Sequence, residues 1–93
     1  MTTLVLEIED SRPTRAFCDE EHLHVVLADG RAIRAPLWWY PRLLAAAPEA
    51  RSVVELMPMG VHWPMIDEDI SVASILRGEK APGARPPVSA SSR

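Results

Sequence analysis

The sequence predicts an α+β fold: a small antiparallel sheet of hairpin or meander form, carrying two or three short helices, in one compact domain over residues 1–78. Three observations predict it. Apolar and polar residues alternate at period two in the first third of the chain, which is the signature of half-buried strands. Short apolar stripes at helical spacing follow, each opened or closed by a proline, a serine or a glycine. A chain of 93 residues makes one domain with a modest core.

Residues 3–9, TLVLEIE, put Leu4, Leu6 and Ile8 on one face and Glu7 and Glu9 on the other, as a half-buried strand does. Residues 10–14 read as a turn or loop in which Pro13, lacking an N–H, ends any ladder. A further short strand over 15–18 precedes a polar turn at 19–21. The clearest local signal is a hairpin over 22–37, with Asp29-Gly30 at its turn. A two-residue loop would mix charge and hydrophobe on both faces. A three-residue loop, Ala28-Asp29-Gly30, pairs Leu27 with Arg31, Val25 with Ile33 and Leu23 with Ala35. That register gathers Leu23, Val25, Leu27, Ile33, Ala35 and Leu37 on one face, and a one-residue slip would scatter them. Gly30 is therefore expected at positive φ.

Pro36 closes the strand, and Pro41 suits the first turn of a helix, where its missing N–H costs nothing. Leu43, Leu44, Ala46 and Ala47 supply the apolar stripe, and Pro48 breaks this helix near Ala47 before one more turn over 48–51. Short strands are expected over 53–57 and 61–63, joined by a turn at 58–60. Ser71 caps a last helix whose buried face is Val72, Ile75 and Leu76, and Gly78 stops it. Residues 79–93 are rich in Pro, Ser, Ala and Arg with almost nothing to bury, and read as a disordered tail.

Composition narrows the function classes. A net charge of −3 argues against nucleic-acid binding over the whole surface. No run approaches the ~20 apolar residues that span a bilayer, and Glu7, Glu9 and Asp10 interrupt any signal-peptide pattern. A cytoplasmic protein is expected. The single cysteine, Cys18, cannot form an internal disulfide, and the adjoining Asp19, Glu20 and Glu21 raise its thiol pKa, so it reads as a strand residue rather than a nucleophile. No nucleophile elbow, phosphate-cradling loop or cofactor signature is present. The chain is read as a non-enzyme without catalytic residues, metal ligands or cofactor.

Chemistry-bearing side chains concentrate between positions 60 and 78. His62 with Asp67, Glu68 and Asp69 has the residue types of a metal-assisted hydrolase but not the spacing of any known metal motif. Against that stands a structural reading: Asp67 and Asp69 accept N–H groups at the start of the last helix, whose dipole favours negative charge, while Glu68 is left free for a partner. His22 and His24 share one side of a strand, with no further ligand near in sequence. Trp38, Trp39, Tyr40 and Trp63 are four of the five aromatic residues. At least two belong in the core, and the adjacent Trp38 and Trp39 cannot face the same way, which leaves one indole for a binding surface. Arg42 is placed to pair with the acidic segment. The partner-binding candidates are thus Trp38, Trp39, Tyr40, Arg42, His62 and Glu68, and the structural ones Gly30, Pro41, Trp63, Pro64, Asp67, Asp69 and Ser71.

The combined pattern DGR-x-I-x-x-PL-x-WYPRL over 29–43, PE-x-R over 48–51, G-x-HWP-x-IDEDISV over 60–72 and LRG over 76–78 resembles a small bacterial family of domains of unknown function, numbered 2442. The resemblance covers roughly residues 16–78. It implies a compact α+β fold and no established activity. It also implies a gene neighbourhood, since members are often encoded beside another small protein in pairs like toxin–antitoxin modules. Some members add a helix-turn-helix region, for which this sequence has no room after Gly78. The expected function is a protein-interaction module, the antitoxin-like or regulatory partner of a small neighbouring protein. The alternatives are a metal-dependent enzyme using His62, Asp67 and Asp69, or a nucleic-acid-binding accessory protein; the oligomeric state is open.

Overall fold

A computed structural model describes residues 11–87. The strand expected over 3–9 and the end of the expected tail, 88–93, lie outside the described residues. The described residues form two three-stranded antiparallel sheets and three short helices around one core. Sheet one contains β1 (Pro13–Cys18), β2 (His22–Leu27) and β3 (Ala32–Pro36) in that order. A 3-10 turn (Leu37–Trp39) leads to α1 (Pro41–Ala45) and α2 (Pro48–Ser52). Sheet two contains β4 (Glu55–Met57), β5 (Gly60–Trp63) and β6 (Glu68–Ser71), and α3 (Val72–Arg77) follows directly.

The β2–β3 hairpin has the bulged register that its hydrophobic pattern requires. Val25 faces Ile33, Leu23 faces Ala35, and the Leu27 N–H donates to the Arg31 carbonyl at 2.8 Å. Gly30 has φ 94°. Asp29 completes the turn by accepting the Arg31 backbone N–H at 2.9 Å. Pro13 behaves otherwise than expected. It is buried and begins β1, pairing with Leu27, with an irregularity in register between it and Arg15. A proline is tolerated at the first residue of a strand, where the ladder does not need its missing donor.

Pro41 opens α1 at its first turn, and the helix stops at Ala45, before Pro48 opens α2. The apolar stripe expected of α1 shrinks to one buried residue, Leu43, while Leu44 is exposed. A helix of little more than one turn has one inward position, so the second leucine has no core to meet. Likewise Val72 and Ile75 of α3 are buried and Leu76 is exposed. Gly78 terminates α3 in the left-handed conformation, φ 76°, with its N–H on the Ile75 carbonyl and the Glu79 N–H on the Ser74 carbonyl. The following residues stay on the body at first: the Ala81 N–H donates to the Trp39 carbonyl at 2.9 Å, and Ala81 packs against the core.

The largest correction concerns residues 68–71. Expected as a run into the last helix, they form β6, which pairs with β5 as Gly60 to Ser71, Val61 to Ile70, His62 to Asp69 and Trp63 to Glu68. Val61, Trp63 and Ile70 enter the core with Leu23, Leu37 and Leu43. Gly60, expected in a turn, is the first residue of β5, and a Cβ there would lie 2.5 Å from the Ile70 carbonyl oxygen.

Gly30 and Gly60 are therefore sensitive to different things. Gly30 needs a positive-φ backbone that strains any side chain, but it has open space, and asparagine is among the residues that tolerate that region best. Gly60→Ala is expected to lower stability by about 1 to 3 kcal/mol through overpacking, and Gly60→Asn by no less, whereas Gly30→Asn, strained in backbone but free of a clash, is expected to cost less. Urea denaturation of the three variants checks this ordering.

Candidate functional site

The outer face of sheet two carries a group of titratable side chains. Alternation along β5 sends Val61 and Trp63 inward and His62 outward. Because Glu55 pairs with His62 and His62 with Asp69, one row across the sheet holds a carboxylate, an imidazole and a carboxylate. Asp67 joins them from the β5–β6 turn, held at φ 53°. His62 Nδ1 and Asp69 Oδ1 are 2.8 Å apart, and the nearest donor atoms of His62, Asp67 and Asp69 lie within 4.8 Å of one another. The hydrogen bond to Asp69 raises the His62 pKa; partial desolvation opposes this, and the charges of Asp69, Glu55 and Asp67 add to it.

This geometry removes the capping role expected of Asp67 and Asp69. Asp67 precedes β6, and Asp69 lies within it and bonds His62 instead. Ser71 is the cap, its hydroxyl accepting the Ser74 N–H at 3.0 Å. Pro64 is exposed and contributes to the turn rather than to packing. Trp63 is fully buried, and its indole N–H donates to the Arg51 carbonyl at 3.2 Å.

Glu68 is not the free carboxylate that the sequence suggests. Its side chain is 14 % exposed, and Arg42 Nε lies 3.5 Å from Oε1. The Arg42 guanidinium also donates to the Ile66 carbonyl, so the expected link between Arg42 and the acidic segment is present. Burial raises the Glu68 pKa; Arg42 lowers it, and Asp69 and Asp67 raise it further.

The aromatic candidates divide. Tyr40 is buried and so presents almost no surface to a partner; burial first, then the Glu68 charge, pushes its hydroxyl up to about 12. Trp38 and Trp39 are half-buried with their rings at 80° and 6.5 Å, consistent with the two facing different ways. The Lys80 ammonium sits 4.6 Å above the Trp39 ring. With the Ala81 hydrogen bond beside it, this covers part of the surface first assigned to Trp39.

On sheet one, His24 Nε2 is 2.7 Å from Asp19 Oδ2 and its ring stacks on Phe17 at 4.6 Å. Asp19 Oδ1 also accepts the N–H groups of Glu21 and His22, at 2.8 and 2.7 Å. The His24 bond first, then these two, hold the Asp19 carboxyl well below the usual range. The Cys18 thiol is raised to about 11, chiefly by burial, with Arg51 opposing and Asp19 adding.

Sequence reasoning did not find the apolar surface at β4. Leu56, Met57 and Met59 are 44, 46 and 60 % exposed along the strand and its turn. With Pro58, Val61 and Ile70, the two methionines border a shallow, mostly apolar groove of about 310 Å3. The apolar residues Leu56, Met57 and Met59 were the available signal, but that they stay exposed is revealed only by the assembled fold.

Two small antiparallel sheets braced by helices one or two turns long, with a histidine–carboxylate row on one outer face, define the class of protein: a small α+β domain. The chain belongs to the family described as protein of unknown function, DUF2442, whose profile matches residues 13–81. Among solved structures it is similar to a protein of unknown function from Rhodospirillum rubrum ATCC 11170, at 25 % identity and a TM-score of 0.68, over 78 % of this chain and 93 % of that one. No curated protein matches the chain. Among the described residues no helix is long and apolar enough to cross a membrane.

The Asp19 arrangement gives a pH prediction. A carboxyl whose folded pKa is depressed stabilises the fold above the ordinary Asp value of about 4, and that contribution is lost as pH falls through the folded value. In a carboxyl-carbon NMR titration Asp19 is expected to have a midpoint well below that ordinary value, and His24→Ala is expected to move it upward. An ordinary midpoint in the wild type would show that these bonds do not hold the charge.

Proposed function

We propose that this domain is a non-enzymatic interaction module that docks another small protein, as the antitoxin-like or regulatory member of a pair. One observation carries the reading: the run of exposed apolar side chains Leu56, Met57 and Met59 on β4 and its turn. Methionines are adaptable contact residues, able to repack against irregular partners. Among the described residues β4 is an edge strand of its sheet, and its other side takes no backbone hydrogen bond from a further described element. An edge strand flanked by an apolar groove suits a partner that adds a strand and seats alternate side chains beside it.

The resemblance supplies the kind of partner: a small protein encoded next to this one. Within the original candidates, Trp38 and the accessible side of Trp39 remain as a second contact region, while Tyr40 and Glu68 serve the fold. Arg42 stays largely exposed while paired with Glu68, and a charge there would act at the rim of an interface.

Co-expression with the neighbouring gene product, followed by size-exclusion chromatography, is the direct test. A common peak is expected, and Met57→Asp with Met59→Asp is expected to weaken the complex by about 2 kcal/mol or more. Unfolding of the isolated variant should change less than the complex does, because the two side chains are already 46 and 60 % exposed. Separate elution of the two wild-type proteins at micromolar concentration would remove this reading.

A further inference from the structure

We propose that His62, Asp67 and Asp69 form a binding site for a divalent first-row transition ion of the zinc type on the outer face of sheet two. This site adjoins the docking surface proposed at β4, since Asp69 also borders that groove, but it does not rest on that reading. Three side chains each offer one donor atom, and these atoms already lie within 4.8 Å of one another. A tetrahedral ion with bonds of about 2.0 to 2.2 Å draws its ligand atoms to roughly 3.5 Å apart, so small side-chain rotations close the remaining distance. The backbone under two of the three is fixed: His62 and Asp69 are paired residues of neighbouring antiparallel strands. Asp67 stands two residues before Asp69 at the edge of the same ladder.

The donor set selects the ion. Mg2+ and Ca2+ take six or more oxygen ligands, whereas one imidazole nitrogen and two carboxylate oxygens suit zinc and its neighbours, with a fourth position open. Charge points the same way. Glu55 lies in the same row as His62 and Asp69, so three carboxylates surround one imidazole. Among the described residues neither Asp67 nor Glu55 forms an ion pair, and Asp69 has only His62.

The other histidine–aspartate group provides the contrast. Asp19 Oδ1 is occupied by two backbone N–H groups, Oδ2 by His24, and the His24 ring is stacked on Phe17. His22 Nδ1 stands 3.9 Å from the carboxylate. Those donors are committed to the turn, while Asp67 and Asp69 are both exposed, the Asp69 side chain to 74 %, and among the described residues Asp67 forms no side-chain hydrogen bond or ion pair.

The test uses the full chain and Zn2+ as probe, in buffer free of chelators, with calorimetry for affinity and long-range 15N NMR for the imidazole. Saturable binding at one site is expected, with the His62 Nδ1 resonance moving on titration. His62→Gln and Asp67→Asn are each expected to weaken it by at least the about 10- to 100-fold that loss of a supporting ligand contact costs. Asparagine tolerates the left-handed backbone at position 67, so Asp67→Asn removes the charge without disturbing the turn. His24→Gln should leave affinity unchanged, and Mg2+ should not compete. Absence of saturable Zn2+ binding by the wild type would leave a His62–Asp69 ion pair and nothing more, which overturns the proposal. Binding that survives His62→Gln and disappears in His24→Gln would place the ion on the Asp19 group and overturn it equally.

Discussion

The fold depends on the burial of Trp63. Its indole is fully enclosed and its one polar atom, the ring N–H, reaches the Arg51 carbonyl near the end of α2. A tryptophan is the largest apolar group available to a chain this short, and burying it with its N–H unpaired would cost about 1 to 3 kcal/mol. The hydrogen bond therefore couples the middle strand of sheet two to the helical segment before it. Everything on the outer face of that sheet follows, because a strand that must turn Trp63 and Val61 inward has no choice but to turn His62 outward.

The same alternation on β6 separates two adjacent carboxylates. Glu68 lies on the more enclosed side against Arg42, and Asp69 lies outside against His62. Side chains identical in charge and neighbouring in sequence thus acquire opposite duties. Glu68 ties α1 to the end of sheet two through Arg42, which also holds the turn by way of the Ile66 carbonyl. Asp69 belongs to the exposed row with Glu55 and His62.

Where structure could be read from sequence, the determinants were local. The β2–β3 hairpin was legible down to its register because Asp29-Gly30 fixes the turn and six apolar residues agree on one face. Ser71 and Gly78 were legible as the ends of α3 for the same reason. β6 was not, since Ile70 is the one apolar residue in the strand and its partner strand lies several residues upstream across a turn; carboxylates before a helix resemble caps when that pairing is unseen. Leu44 and Leu76 were over-assigned to the core because helical periodicity says which residues share a face, while the number buried depends on how much of a very short helix touches the rest. Glu68 and Tyr40 were assigned to a surface by residue type, and only tertiary packing shows them enclosed. The approach of His62, Asp67 and Asp69 was visible as a cluster in sequence, but its geometry needed the β5–β6 ladder.

Gly60 has a further consequence for how the ladder assembles. The space for a Cβ at that position is taken by the Ile70 carbonyl and the Ser71 backbone. If β5 slid along β6 by one residue, Met59 or Val61 would meet that tight approach with a side chain attached. Misaligned pairings of the two strands are therefore penalised sterically as well as by exposing Trp63, and the absence of a single methyl group acts as a ratchet tooth that admits one alignment during folding.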